Sequence, residues 1–239
     1  MGLREKQTAE RKRRILDVAD ALIQQSGNTN FSMRMLAELS EVSPATPYNL
    51  FGSKDGIISA SLARGLDRFF IEGLVLDPGK PLDFVASSHG IAVDILIEGK
   101  ALMRPLHLYL LGVLDTLHHH RHIARSSHYW RTVAETAAEA FPPEIAGSID
   151  HDILKFQLFS LFLGLVQLWI HGDIEDDVFR ARAVYGALLI VSPSVAPDRR
   201  EEIDSLLSAG KFALEKALSR RGRKSKAKPA IDVTEAKPA

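Results

Sequence analysis

Cysteine is absent from the 239 residues of this chain, which excludes a disulfide scaffold, a thiolate metal site and a cysteine nucleophile. A signal peptide is not expected, because the first stretch, MGLREKQTAERKRR, is highly charged. No run of about 20 apolar residues occurs. The longest one, at 156–170, is too short to span a membrane and is interrupted by Gln157, Ser160 and Gln167. These absences predict a soluble cytoplasmic protein with no membrane partner.

Alternating patterns enriched in β-branched residues are also missing, so the sequence predicts an all-α fold. Helical hydrophobic spacing runs through almost the whole chain. It predicts three short helices within 10–54 and a connecting helix at 54–76, followed by the loop DPGKP at 77–81. Beyond that loop, six further helices are predicted at 82–98, 100–118, 122–141, 150–171, 175–191 and 198–220.

Net charge is zero overall but unevenly distributed. Residues 1–14 hold six basic side chains against two acidic ones, and residues 220–239 hold seven against two. The sequence therefore predicts a basic, flexible N-terminus at 1–9 and a basic, disordered tail at 221–239. Such ends either contact a polyanion or are simply solvated.

The three N-terminal helices show the helix-turn-helix pattern, with SEV as the tight turn before the third helix. Ser43 is a suitable N-cap for that helix, and Pro44 stiffens its first turn. The third helix is then expected to meet the major groove of DNA, with Thr46 near a base edge. Tyr48 and Lys54 are placed to contact phosphates.

Two stretches, RRILDVADALIQQSG and FSMRMLAELSEVSPATPYNLFGSKDGII, resemble the DNA-binding domain of TetR-type transcriptional regulators. The resemblance implies an N-terminal three-helix helix-turn-helix DNA-binding domain at 10–54, with a small core that includes Val42, Leu50 and Phe51. It also implies a larger C-terminal helical domain for ligand binding and dimerisation at 77–220. The positions expected to contact DNA are Ser32, Arg34, Ser43, Pro44, Ala45, Thr46, Tyr48, Asn49 and Lys54.

Three positions depart from the family pattern. Glu41 stands where the family usually has a turn glycine, so the backbone there must accept a left-handed conformation or form another turn. Pro47 replaces a common leucine, and its missing N–H falls about where the first intrahelical bond should form. Asn49 replaces a frequent histidine.

The helix predicted at 150–171 is apolar on nearly every side and therefore needs cover on all of them. Ser160 and Gly164 would permit another helix to approach closely. The resemblance implies a homodimer in which this helix and the next form a four-helix interface; a monomer with 150–171 as its central core helix is the alternative. The expected interface residues are Phe156, Ser160, Leu163, Gly164, Phe179, Ala183 and Ala187.

The resemblance also implies an effector pocket among the helices of 82–171. Its candidate lining is apolar or aromatic with one amide, and the same residues could equally form plain core. The candidates are Met103, Leu106, Tyr109, Trp130, Phe159, Phe162 and Gln167. A pocket of this composition favours a mainly apolar or aromatic effector.

Six of the nine histidines fall within 22 residues. His118 and His122 are four residues apart, which is a spacing that can bind a metal ion. No carboxylate or cysteine pattern completes a site, although Asp115 lies one turn from His118. The alternative is a polar helix end exposed to solvent.

The resulting hypothesis is a homodimeric transcriptional regulator that needs no cofactor and binds a palindromic double-stranded DNA operator. It is expected to be a repressor that a small, mainly apolar effector releases through the 54–76 helix. Two alternatives are a metal-responsive regulator using the 118–122 histidine cluster and a non-specific architectural DNA binder driven by the basic ends. An enzyme is not expected, since the sequence has no nucleophile elbow, Gly-rich phosphate loop or paired-carboxylate motif.

Overall fold

The computed structural model describes residues 2–74, 79–112 and 116–226, the last six of them as backbone alone. These residues form eleven α-helices and two short 3₁₀ turns, with no strand among them, so the predicted all-α fold is confirmed. The helices are α1 Leu3–Ser26, α2 Met33–Leu39, α3 Ala45–Phe51, α4 Lys54–Glu72, α5 Pro81–Glu98, α6 Lys100–Gly112, α7 Thr116–Ala138, α8 Pro143–Ala146, α9 His151–His171, α10 Asp176–Val191 and α11 Arg200–Lys226.

Helix α1 buries one apolar stripe that includes Ile15, Ala19 and Ile23. It ends at Gly27, whose φ of 68° is a left-handed conformation that glycine adopts at little cost. The helix begins at Leu3, so its first turns include residues 3–9 of the N-terminus that charge predicts to be flexible. No Gly or Pro interrupts these turns, and the Glu5 carboxylate accepts the Gly2 N–H at 2.9 Å.

The body of the molecule is a bundle in which α5 and α9 each pack against α7 and α10. The predicted break at residues 119–121 is wrong, because α7 runs unbroken from Thr116 to Ala138. Polar histidines alone do not end a helix when Gly and Pro are absent. The connection between α6 and α7, at 113–115, lies outside the described residues.

Helix α11 covers part of α10. The guanidinium of Arg220, near the end of α11, lies 3.8 Å from the carboxylate of Asp177, near the start of α10. The two helices therefore run antiparallel. The helix continues to Lys226, six residues beyond the predicted boundary with the tail. Residues 227–239, which hold the rest of that predicted tail, lie outside the described residues.

Helix α9 has the length and apolar composition of a membrane span. One of its faces, however, is buried against the bundle through Leu158, Val166 and Trp169. The helix therefore contributes in part to the core of the bundle, and part of its apolar surface is left exposed.

Candidate nucleic-acid interface

Helices α2 and α3 are joined by a tight turn that forms through Glu41. Its φ of 53° makes it the one non-glycine residue with positive φ among the described residues, so the left-handed alternative is the one adopted. The hydroxyl of Ser32 caps α2 by accepting the Met35 N–H at 3.1 Å. The Val42 N–H reaches back to the carbonyl of Ala37 at 3.0 Å, which closes the turn.

The first turn of α3 is shaped by its two prolines. Pro44 has helical dihedrals (φ −55°, ψ −27°) and directly precedes the helix. The sequence predicts Ser43 in that capping position and Pro44 as the first helical residue, so the observed helix starts one residue later. The carbonyl of Ser43 accepts the Thr46 N–H at 2.9 Å, because Pro47 has no N–H to supply the next bond. Pro47 is the only buried residue of α3, so its ring packs where the family carries leucine.

The residues predicted to contact DNA lie at the molecular surface. Ser43 and Thr46 bring their hydroxyl oxygens to 2.8 Å from each other, which ties the threonine side chain to the start of α3. Tyr48 leaves 52% of its surface exposed. Thr46 and Lys54 are half-buried, and the exposed members are Ser32, Arg34, Ser43, Pro44, Ala45, Tyr48 and Asn49.

The start of α4 is held close to both α2 and α3. Ser53 caps α4 by accepting the Gly56 N–H at 3.1 Å. The ammonium of Lys54 lies 5.0 Å from the ring centroid of Phe31, just before α2, and partial burial lowers the pKa of Lys54. A Cβ at Gly56 would lie 2.0 Å from the carbonyl oxygen of Phe51, so this position requires glycine. That role was not predicted from the sequence, although a glycine in the first turn of a helix is a recognised sign of close approach.

Polar side chains tie α4 to α1 and α6, and these contacts were not predicted from the sequence. Arg64 pairs with Asp17 at 2.7 Å and with the buried Asp20, both on α1. Burial raises the pKa of Asp20 despite that pairing. Tyr109 on α6 donates its hydroxyl to the Asp55 carboxylate at 2.5 Å. The pairing of Arg64 with α1 had a signal in the sequence, because Asp20 is an aspartate within the apolar stripe of that helix.

An internal cavity of about 20 Å³ lies where α4, α6, α7 and α9 meet. It coincides with the predicted effector pocket at two residues only, Phe159 and Phe162. Its full lining is Leu66, Phe69, His107, Leu110, His122, Ile123, Ser126, Phe159, Phe162, Leu163 and Val166.

The other five predicted pocket residues lie outside this cavity. The end of the Met103 side chain packs closely against Gly65, since a Cβ added to that glycine would lie 3.1 Å from it. Leu106 is fully buried. Tyr109 bonds Asp55. Trp130 is core, with its ring 4.8 Å from that of Phe162, and Gln167 is exposed. Apolar type alone did not separate cavity lining from closely packed core.

The histidines are distributed differently from the predicted metal pair. His122 is buried and its ring faces that of His107, with centroids 6.2 Å apart, whereas His118 is half-buried. Among the described residues, no three His, Asp or Glu side chains come together as a metal site. Asp115 lies outside those residues. Burial lowers the pKa of His122 to about 3.

The predicted dimer residues separate into three groups. Phe156, Ser160 and Gly164 are exposed along the outer face of α9, and a Cβ at Gly164 would meet open space. Leu163 lines the cavity.

The α10 residues form the third group, and here the structure differs from the prediction. Phe179, Ala183 and Ala187 are completely buried within the chain. The reason is that α10 packs against α5, α9 and α11 together, so these three side chains face the chain's own core.

Comparison with known proteins gives matches at two levels. A sequence model described as "Bacterial regulatory proteins, tetR family" matches residues 15–60, from the middle of α1 into α4. No curated protein matches the chain. The solved structure of the TetR family transcriptional regulator PfmR from Thermus thermophilus is 20% identical, with 74% of this chain and 97% of that one covered and a TM-score of 0.49.

A second solved structure, of a tetR-family transcriptional regulator from Streptomyces coelicolor, is 16% identical. The match covers 95% of this chain and 100% of that one, with a TM-score of 0.56. At this identity the likeness establishes a shared fold, which extends through the C-terminal helices.

Proposed function

Because the chain is a DNA-binding transcriptional regulator of the TetR family, a family of non-enzymatic proteins, we propose that it acts as a homodimeric repressor in the cytoplasm. Two copies of α2 and α3 bind a palindromic operator in successive major grooves, about 34 Å apart. A small effector bound among the C-terminal helices releases the operator.

The observation that carries this proposal is the exposed surface around α3. The small residues Pro44 and Ala45 at the start of the helix leave room for the edge of the DNA major groove. Tyr48 exposes its phenol beside Asn49. Exposed aromatic and amide side chains next to a lysine supply both base-edge and phosphate contacts.

The outer face of α9 supports the homodimer. Ile153 and Phe156 are 61% and 62% exposed, and Leu168 is 41% exposed further along the same helix. Ser160 and Gly164 lie between them and leave space for a second helix to approach. A contiguous exposed apolar face of this kind is characteristic of an interface.

The position of α4 supports the release mechanism. This helix starts at Lys54 beside the DNA-binding surface and also lines the internal cavity with Leu66 and Phe69. The cavity has room for about one water molecule, so any larger effector must displace its walls. A coupling free energy of ~1–3 kcal/mol between the two sites is typical of such a switch.

The test is selection of bound fragments from a random DNA pool, followed by fluorescence anisotropy over a range of salt concentrations. We expect a palindromic site. Tyr48→Ala should weaken its binding at least roughly tenfold, since a base or phosphate contact is typically worth ~1–3 kcal/mol. The matched control is Phe212→Ala, which removes an equally exposed aromatic ring from α11 (68% exposed) and should bind like the parent.

A second pair of variants separates phosphate binding from general charge. Lys54→Ala should reduce the slope of log affinity against log salt by about 1 for each phosphate that the lysine neutralises. Lys211→Ala, on α11, removes the same charge and should leave the slope unchanged. Equal effects in both lysine variants, or binding without sequence preference, would contradict the proposal.

A further inference from the structure

The first half of α1 lies outside the packed part of the molecule. Every residue from Gly2 to Arg14 is exposed, and the first buried side chain of the helix is Ile15. Residues 3–14 therefore extend the helix by about 18 Å without contributing to the core. A polar helical segment this short has little stability of its own, so it is held by its continuity with the buried half of α1. Its surface is accessible to another molecule.

Basic side chains line one face of this segment. Arg4, Arg11 and Arg14 follow one another at intervals of seven and three residues, which return to the same side of a helix after two turns and then one. Gln7 lies between Arg4 and Arg11 on that side. We call these four residues the basic stripe. Among the described residues, neither Arg4 nor Arg11 has an ion-pair partner.

The acidic side chains of the same region are engaged away from the basic stripe. Arg13 binds Glu10 through Nη2 at 2.6 Å and Asp17 through Nη1 at 3.0 Å. Glu5 accepts the Gly2 N–H at 2.9 Å at the start of the helix. The positive charge of the stripe is therefore not neutralised by the carboxylates of its own helix, and an exposed face of this kind is complementary to a polyanion.

One end of the basic stripe lies beside the turn of the helix-turn-helix. The guanidinium of Arg14 is 3.9 Å from the carboxylate of Glu41, which lies in the turn that leads to Pro44 and α3. From there the stripe continues over ten residues, or about 15 Å, to Arg4. Since each base pair of B-DNA occupies about 3.4 Å of the helix axis, this length corresponds to about four base pairs.

We propose that the basic stripe is a second DNA contact, which binds phosphates in the base pairs that flank each half of the operator. The three arginines pair with phosphate oxygens, and the Gln7 amide donates to another. Phosphate contacts add affinity and fix position but carry no sequence information. Helix α3 thus selects the site, while the stripe lengthens the footprint by about four base pairs on each side. The inference rests on the proposed function for the presence of DNA at α3.

The experiment is fluorescence anisotropy of the full chain on three duplexes over a range of salt concentrations. The first is the selected operator trimmed to its palindrome, and the second carries about five additional base pairs on each side. The third is a random sequence of the longer length. The parent should bind the longer operator at least roughly tenfold more tightly than the trimmed one at low salt, because additional phosphates are neutralised.

Two double variants assign that gain. Arg4→Gln with Arg11→Gln removes two charges from the basic stripe, and Lys6→Gln with Lys12→Gln removes two charges from other sides of the same exposed segment. The arginine variant should lose the gain from the longer operator. Its slope of log affinity against log salt should fall by about 2 per protomer, while its preference for the operator over the random duplex is kept.

The lysine variant should bind all three duplexes nearly as the parent does. Circular dichroism should show the same helix content in both variants, since each replaces exposed side chains with a residue of similar helix propensity.

The results that would overturn the proposal are specific. Equal losses in the two double variants would reduce the effect to general charge. Equal affinity of the parent for the trimmed and longer operators would refute the contact with flanking DNA, and an unchanged salt slope in the arginine variant would show that the stripe serves a different partner. If no palindromic operator is recovered, the proposed function fails, whereas the difference in slope between the two variants on the random duplex still tests the stripe.

Discussion

At the scale of single residues, His89 on α5 shows how burial sets the response to pH. The ring is fully buried, its Nδ1 donates to the Val85 carbonyl at 2.8 Å and its Nε2 finds no partner among the described residues. Burial lowers the pKa of His89 to about 4. Trp130 packs against it with ring centroids 4.6 Å apart, so the charged form has little access to water.

This depressed pKa predicts acid sensitivity of the fold. As pH falls from about 6.5 to 4, the unfolded chain takes up a proton at this site that the folded chain resists, so stability is present above that window and is lost within it. Between pH 7 and 5 the contribution of His89 is on the order of 2 kcal/mol. His89→Leu should therefore lose less free energy of unfolding over that interval than the parent, as measured by urea denaturation at both pH values.

The control for the acid response is His120→Leu, at an exposed site on α7. It should reproduce the loss seen in the parent. An identical loss in His89→Leu and in the parent would show that other groups, His107 and His122 among them, account for the whole acid response.

At the scale of helices, the first turn of α4 links the DNA-binding surface to the body. Tyr109 reaches from α6 to Asp55, the residue next to Lys54. A hydrogen bond to a charged acceptor is typically worth ~1.5–3 kcal/mol, and less where water has access, as here. Tyr109→Phe should therefore lower the free energy of unfolding by roughly 1 kcal/mol and weaken operator binding, because Lys54 is held less firmly.

The measurement is thermal unfolding together with anisotropy on the selected operator. Tyr185→Phe, which removes a hydroxyl from α10 far along the chain from the DNA-binding domain, is the matched variant. If both tyrosine variants bind the operator equally well, the hydrogen bond to Asp55 has no part in positioning α4.

The helices differ in how well their sequences predict them. Helical spacing was sufficient to place the start of α4 at Lys54. At Glu41 the sequence left two turn shapes open, and the structure adopts the left-handed one. Helical spacing was insufficient for α10. Its apolar residues indicated burial correctly, but periodicity does not identify the covering partners, which are α5 and α11 as well as α9. The cavity was missed for a related reason, since it depends on how four helices meet in space.

At the scale of the whole molecule, the covering of α10 leaves α9 as the principal candidate surface for a second copy. The charged and half-buried residues of α10 that remain accessible, such as Arg182 and Tyr185, can contribute at the edge of that interface. Two DNA-binding domains must be held at a fixed separation to bind a palindrome, so the α9 interface is expected to control operator affinity as well.

This dependence can be tested with two exposed phenylalanines. Phe156 on α9 and Phe212 on α11 are 62% and 68% exposed, so glutamate at either position should leave the fold of the monomer intact by circular dichroism. Phe156→Glu should place a charge in the dimer interface, give a monomer in analytical ultracentrifugation and weaken operator binding by at least roughly tenfold, because burying an unpaired charge costs several kcal/mol. Phe212→Glu should stay dimeric and bind normally. The opposite pattern would assign the interface to α11 and would explain why Phe212 is exposed on that helix.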